Sequence, residues 1–374
     1  MRKQRIVVKI GSSSLTNEKG EIDQEKLGNH VDALAMLRKA NHEVILVTSG
    51  AVAAGFRGLG YSSRPVTLKG KQAAAAIGQS LLIQSYIEKF GAYDITPAML
   101  LLTRDDFSNR ERYRNAYATI TELLDRGILP IINENDTVSI AELTFGDNDM
   151  LSALVSGFIH ADQLIILTDI NGIYSGNPQT NPTAVKYDFL QEISNEMIQA
   201  AGSGGSKVGT GGMKSKLMAA KTATSLGIPV FIGQGKGKDK LIQVLKGNGD
   251  GTYIASHSKA PINTRKQWIA LHSESAGKIY VDQGAEEAIL KRGSSLLSAG
   301  VIKISGTFEK GDVVQVYGIH DLLGKGEVSC SSVELQKEIE SYMDRDKETF
   351  TPSIEVIHRD RWVSIQKLGR YYDE

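Results

Sequence analysis

Cysteine is all but missing from this 374-residue chain, where Cys330 stands alone. That excludes a disulfide scaffold and any cysteine-rich zinc site. An excess of one charge is missing too. The 43 lysines and arginines balance 43 aspartates and glutamates, so nothing global favours nucleic acid or an acidic membrane surface. No apolar run approaches the roughly 18 residues of a membrane span. The basic start from Met1 to Arg5 is followed by only a few apolar residues before Lys9 and Gly11, whereas a secretory h-region needs about 7–15. A cytoplasmic location with no membrane partner is therefore expected. There is no Walker A motif and no Gly-x-Gly-x-x-Gly, so P-loop and dinucleotide readings lack their signature. An EF-hand at Asp147-Asn-Asp149 is excluded because Leu151 occupies the third ligand position.

What is present is ordinary globular material, 41% hydrophobic and 23% charged, long enough for two domains. Up to about residue 250, short apolar runs alternate with amphipathic stretches. The spacing predicts strands over 6–10, 43–48, 128–132, 163–168 and 229–233. It predicts helices over 24–40, 71–90, 113–126, 149–160 and 214–226. Such alternation means right-handed crossovers and an α/β domain, a mainly parallel sheet sandwiched between helices. The strand cores are unbroken apolar runs because both faces of the sheet are covered. Gly247–Gly251 and the polar stretch to Thr264 look like a linker. Beyond Trp268 the rhythm changes to short strands (278–282, 300–305, 312–317) with Gly-bearing turns and two helices (286–292, 332–343), giving a small β-rich domain.

In open α/β sheets, ligands sit at the carboxyl ends of the strands, so four loops should converge. Lys9-Ile-Gly-Ser-Ser-Ser14 combines a lysine at a strand end, a glycine that admits a ligand close to the backbone and hydroxyls suited to phosphate oxygens. Thr48-Ser-Gly-Ala51 opens the next segment. Asn133-Glu-Asn-Asp136 follows a strand, and Gly146-Asp-Asn-Asp149 precedes a helix. Thr168-Asp169 ends another strand. Finally, Gly209-Thr-Gly-Gly-Met-Lys-Ser-Lys216 runs into a helix, and free N–H groups with the helix dipole make that geometry an anion site. Each piece alone also has a plainer reading: a snorkelling lysine, turn and cap chemistry, a solvated glycine loop. Together they describe phosphoryl transfer, with a lysine on each side of the transferred group and a carboxylate to organise the lysines or Mg²⁺. No histidine-based acid/base site is evident, as suits a carboxylate acceptor that is already ionised at neutral pH.

Six ordered motifs resemble the glutamate 5-kinase family of the amino acid kinase superfamily: Lys9-Ile-Gly-Ser-Ser, Val47-Thr-Ser-Gly-Ala-Val52, Ile132-Asn-Glu-Asn-Asp136, Phe145-Gly-Asp-Asn-Asp149, Leu167-Thr-Asp169 and Gly209-Thr-Gly-Gly-Met213. The segment from Ser275 through Val314 is similar to the PUA domain that bacterial members carry. The resemblance implies an amino acid kinase fold with a small PUA-like barrel. It divides the chain into a catalytic domain (1–258), a linker (259–273), a PUA domain (274–352) and a C-terminal extension (353–374).

The activity it implies is ATP-dependent phosphorylation of the γ-carboxylate of L-glutamate, the first step of proline biosynthesis. ATP enters as co-substrate with Mg²⁺, L-proline as feedback inhibitor, and the chain as a homo-oligomer, dimer or tetramer, built through the kinase domain. Lys9 and Lys216 match the transition-state lysines, and Asp149 the aspartate that holds them. Ser49, Asp136 and Asn148 match the glutamate-binding positions. Lys9, Gly11, Ser12, Thr168, Asp169, Thr210, Gly211, Gly212, Met213 and Lys216 match the nucleotide site, and no protein metal ligand is implied.

PUA domains elsewhere bind RNA, but residues 274–352 hold 9 basic against 14 acidic side chains, a net of −5. That is the wrong sign for phosphate-driven binding, so nucleic acid is not the expected partner. The rival readings are another carboxylate kinase of the same superfamily and a regulatory or RNA-binding role for the second domain.

Overall fold

The computed structural model describes residues 2–138, 148–178, 180–202, 212–255, 269, 275–343 and 354–364. Two compact units divide the chain, residues 1–106 with 114–261 and residues 107–113 with 262–374.

In the first unit the strands are β1 (Arg5–Ile10), β2 (Glu43–Val47), β3 (Pro97–Leu102), β4 (Leu129–Glu134), β5 (Gln163–Leu167), β6 (Ile173–Tyr174), β7 (Lys186–Tyr187), β8 (Phe189–Leu190), β9 (Val230–Gly233) and β10 (Gly251–Ile254). Eight of them form one sheet in the order β3-β4-β2-β1-β5-β9-β10-β8. All neighbours run parallel except β9 and β10. The helices are α1 (Gln24–Lys39), α2 (Ala51–Gly55), α3 (Leu68–Gly91), α4 (Arg104–Ser108), α5 (Arg110–Asp125), α6 (Asn148–Phe158), α7 (Asn195–Gly202), α8 (Met213–Ser225) and α9 (Lys240–Leu245), of which α4 and α5 include residues counted in the second unit.

Alternation along β1 sorts the layers. Ile6, Val8 and Ile10 join Leu27, Val31 and Leu34 of α1, Leu82 and Tyr86 of α3, and Leu241 of α9 in one core cluster. Val7 and Lys9 point to the opposite face, where α6 packs on β1 and on α8. A lysine on that face must find a partner inside the protein, because Lys9 is only 1% exposed.

Local chemistry sets the helix starts. Asp23 caps α1 by accepting from the Glu25 and Lys26 N–H groups, and Thr67 caps α3 through the Gly70 N–H. Gly50, at φ 106°, makes the left-handed turn into α2. Helices α2 and α3 touch backbone to backbone. A Cβ on Gly78 would lie 1.7 Å from the Ala51 carbonyl oxygen, and one on Gly55 2.0 Å from that of Ala74. Gly78→Ala is therefore expected to destabilise the protein by about 3 kcal/mol, the upper end of ordinary overpacking, read as a lower urea midpoint. A midpoint within error of wild type would show that the two helices separate easily.

The second unit holds β11 (Gly277–Val281), β12 (Leu296–Leu297), β13 (Val301–Gly306), β14 (Val313–Tyr317), β15 (Leu322–Glu327), β16 (Glu355–Ile357) and β17 (Trp362–Ser364), with α10 (Gln283–Arg292) and α11 (Ser332–Met343). Five strands form a sheet in the order β13-β11-β14-β15-β17. Its neighbours are antiparallel except β11 and β14. Ile279, Val281, Phe308, Val314, Val316, Ile339 and Val356 fill its core.

Some of the architecture departs from the sequence reading. Gly251–Ile254, inside the stretch that looks like a linker, is strand β10. The C-terminal extension beyond 352 supplies β16 and β17, which pair with β12 and β15. Apart from Ile269, the expected linker over 259–273 lies outside the described residues. Among the described residues, no helix is long and apolar enough to cross a membrane.

Candidate active site

Strand ends and helix starts meet at the carboxyl edge of the eight-stranded sheet. Lys9, second to last in β1, sits between Val47 of β2 and Ile166 of β5. Its Nζ lies 2.5 Å from Asp149 Oδ1. Asp149 is fully buried in the first turn of α6, where the helix dipole favours a carboxylate. Its other oxygen, Oδ2, accepts from Lys216 Nζ at 3.1 Å and from Ser215 Oγ at 3.2 Å. Both donors stand in the first turn of α8, whose N-cap is Gly212. One carboxylate thus holds two ammonium groups from opposite sides, almost without solvent.

Gly11 keeps this cluster open, since a Cβ there would stand 3.3 Å from Lys9 Nζ. The next residues, Ser12–Ser14, make a short 3-10 turn. His30 of α1 supports it from behind. Lys240 Nζ lies 3.2 Å from His30 Nδ1, and His30 Nε2 lies 3.1 Å from the Ser14 carbonyl oxygen. Burial, then the nearby Lys240 charge, pushes the His30 imidazole down to about 4. The ring is therefore neutral at pH 7, accepting from Lys240 and donating to Ser14.

A second, polar network adjoins the first. Asn148, the residue before Asp149, donates from Nδ2 to Ser49 Oγ at 3.0 Å and accepts at Oδ1 from the Glu134 N–H at 3.2 Å. Asn133 Oδ1 shares that N–H at 3.0 Å. Asp136 is half-buried two residues past β4. Burial pushes its carboxyl up to about 6, against the pull of the Lys71 charge. Thr168 follows β5; its N–H donates to the Gly233 carbonyl and its hydroxyl to Asp169 Oδ1, at 3.0 Å each. Gln234 bonds the Asp169 carbonyl.

The structure thus brings Lys9, Asp149 and Lys216 into direct contact, and joins Ser49 to Asn148 by a hydrogen bond. Asp136, Gly11, Ser12, Thr168, Asp169, Gly212 and Met213 stand at the ends of strands or the start of α8. Thr210 and Gly211 lie outside the described residues. Two participants carried no role in the sequence reading. Ser215, which donates to Asp149 Oδ2, lies in the 209–216 anion loop but was not among the residues assigned there. Gln79, which accepts from Asn133 Nδ2 and donates to the Glu134 carbonyl, lies within an Ala-rich helix, where its only signal is a polar side chain in register with Ala75, Leu82 and Tyr86.

Two buried ammoniums on a single carboxylate suit a reaction in which negative charge passes between donor and acceptor oxygens. The profile of the amino acid kinase family matches residues 4–234, and that of the PUA domain matches residues 277–341. Glutamate 5-kinase 1 from Bacillus licheniformis is 64% identical over 367 residues, which cover 98% of this chain and 100% of the relative. Glutamate 5-kinase 1 from Bacillus subtilis is 60% identical, with the same coverage of both chains. Among solved structures, a carbamate kinase from Giardia lamblia bound to AMP-PNP has a TM-score of 0.50 at 17% identity. The match covers 68% of this chain and 99% of that one, and it bears on the fold alone.

Proposed function

The chain belongs to the amino acid kinase family, and from that premise we propose that it transfers the γ-phosphoryl group of ATP to the γ-carboxylate of L-glutamate. The product is L-glutamyl 5-phosphate, and the reaction opens proline biosynthesis. The observation that carries the reading is the Lys9–Asp149–Lys216 cluster, with both ammoniums on one buried carboxylate.

A γ-carboxylate oxygen attacks the γ-phosphorus, the bond from that phosphorus to the β–γ bridging oxygen breaks, and ADP leaves with the electron pair. No proton has to be removed from the acceptor, so the chemistry calls for no general base. Lys9 and Lys216 would meet the charge on the transferred group, and Asp149 would hold both before substrate arrives. Lys9, Gly11, Ser12, Thr168, Asp169, the 210–213 segment and Lys216 are assigned to the nucleotide. The described residues contain no group of three or more His, Cys, Asp or Glu side chains able to hold a metal ion. Mg²⁺ would enter with the ATP phosphates and supply positive charge against theirs.

Ser49, Asn148 and Asp136 are assigned to L-glutamate, Asp136 receiving the α-ammonium. An ammonium binds the ionised carboxylate, and the free site holds that carboxyl near 6. The glutamate KM should stay flat above pH 6 and rise below it, approaching about tenfold per pH unit, while kcat at saturating glutamate changes little. Asp136→Asn should raise the KM and remove that dependence. A pH-independent KM in the wild type would separate Asp136 from the ammonium.

By the same assignment L-proline acts as feedback inhibitor, the protein works in the cytoplasm, and the active form is a homo-oligomer. The direct test is hydroxamate formation, in which hydroxylamine traps an acyl phosphate made from ATP. L-Glutamate is expected to give signal, and L-aspartate and N-acetyl-L-glutamate none. Signal with one of the other acceptors would keep the lysines but reassign the acceptor site.

A further inference from the structure

We propose that Gln79 is a positioning residue for the acceptor substrate: it holds the Asn133–Glu134 strand end, whose Glu134 N–H orients Asn148 and through it the Ser49 hydroxyl. The proposal rests on the assignment of Ser49 and Asn148 to L-glutamate.

Gln79 lies on the buried side of α3 with Ala74, Ala75, Gly78, Leu82 and Tyr86, and is 7% exposed. An amide there is costly unless both of its ends are bonded. Both are: Oε1 accepts from Asn133 Nδ2 at 3.1 Å, and Nε2 donates to the Glu134 carbonyl at 3.2 Å. Backbone groups force the orientation of every amide in the network. The Glu134 N–H can only donate, so Asn133 and Asn148 must both turn Oδ1 toward it. Asn133 Nδ2 then faces Gln79, which must offer Oε1 to it and Nε2 to the Glu134 carbonyl. Asn148 Nδ2 faces Ser49 Oγ.

Ser49 Oγ thus accepts from Asn148, and its own proton is left to point elsewhere. A hydroxyl held this way offers a donor to an anionic oxygen, as a substrate carboxylate requires. The adjacent Gly78 lets the same turn of α3 press on Ala51, two residues after Ser49. One helical turn therefore fixes both the loop that carries Ser49 and the strand end that orients Asn148.

The test uses the full chain with ATP, L-glutamate and hydroxylamine. Gln79→Met keeps the length and removes donor and acceptor. The glutamate KM should rise about tenfold to hundredfold, with kcat and the KM for ATP nearly unchanged. Gln79→Glu keeps the acceptor toward Asn133 and loses the donor to Glu134, so it should move the same KM in the same direction; it also serves if the methionine variant does not fold. In a Ser49→Ala background, Gln79→Met should change the KM by less than about twofold, since coupled residues are not additive. The proposal is overturned by an unmoved glutamate KM in a folded variant, by losses shared equally with kcat and the ATP KM, or by full additivity with Ser49→Ala. No glutamate signal from the wild type would instead remove the parent assignment, so the two failures are distinguishable.

Discussion

Lys216→Ala is expected to lower kcat by about 10²–10³, equivalent to about 2.7–4 kcal/mol of barrier, the usual cost of losing one preorganised donor to transition-state charge. Lys9→Ala should cost a similar amount. The effect should be large because both ammoniums are withdrawn from water before substrate arrives, with side-chain exposures of 1% and 10%. A charge held in such a site needs no reorganisation during the reaction, and nearby water does not screen it. The glutamate KM should change far less than kcat, because the glutamate assignments fall on Ser49, Asn148 and Asp136 instead. Lys216→Arg should not restore the rate. A planar guanidinium cannot take the place of a compact ammonium 3.1 Å from Asp149 Oδ2. Steady-state kinetics of the three variants decide this. A kcat within about threefold of wild type for either alanine variant would take that lysine out of the chemical step.

Asp149→Asn should damage stability and rate together. Asp149 is fully buried and is the carboxylate to which both ammoniums bind. Breaking a buried ion pair by removing one partner typically costs about 3–5 kcal/mol, because an uncompensated charge stays inside. The asparagine keeps the shape of the side chain, so the loss would be electrostatic. Urea denaturation should show the deficit, and kcat should fall at least as far as in either lysine variant. A nucleotide brings negative charge back to the same place. AMP-PNP should therefore raise the urea midpoint of the variant more than that of the wild type. A variant as stable as wild type without nucleotide would mean that the lysines find other counter-charges.

The sheet was legible where its strands are buried on both faces. Ile6–Ile10, the 43–48 run and 163–168 stand out as apolar blocks, and β1, β2 and β5 fall within a residue or so of them. Strands β3 and β15 were not. β3 lies at the end of the sheet, half-exposed along most of its length, and opens on a proline. In β15, Leu-Leu-Gly-Lys-Gly-Glu, the glycines break the apolar pattern. They are there because Val363 and Ile357 press against the strand, a tertiary reason that local pattern does not carry.

The site divides in the same way. Lys9, Ser49 and Thr168 could be picked out as candidates because ligand chemistry in α/β folds gathers at strand ends, which the sequence marks, and Asp149 from the acidic turn that precedes a helix. Gln79 stands in the middle of a helix, among residues chosen for packing. Its proposed role comes from hydrogen bonds to Asn133 and Glu134, 54 and 55 residues away. Ser215 became visible only once α8 had been placed beside α6.

The most direct test of the central claim follows an oxygen atom. The protein would be given ATP, hydroxylamine and L-glutamate with both γ-carboxylate oxygens replaced by ¹⁸O, and the released phosphate examined by mass spectrometry. If the carboxylate attacks the γ-phosphorus, hydroxylamine then cleaves the acyl C–O bond and the phosphate leaves with one ¹⁸O. Phosphate without label would mean that water received the phosphoryl group, and would contradict the account.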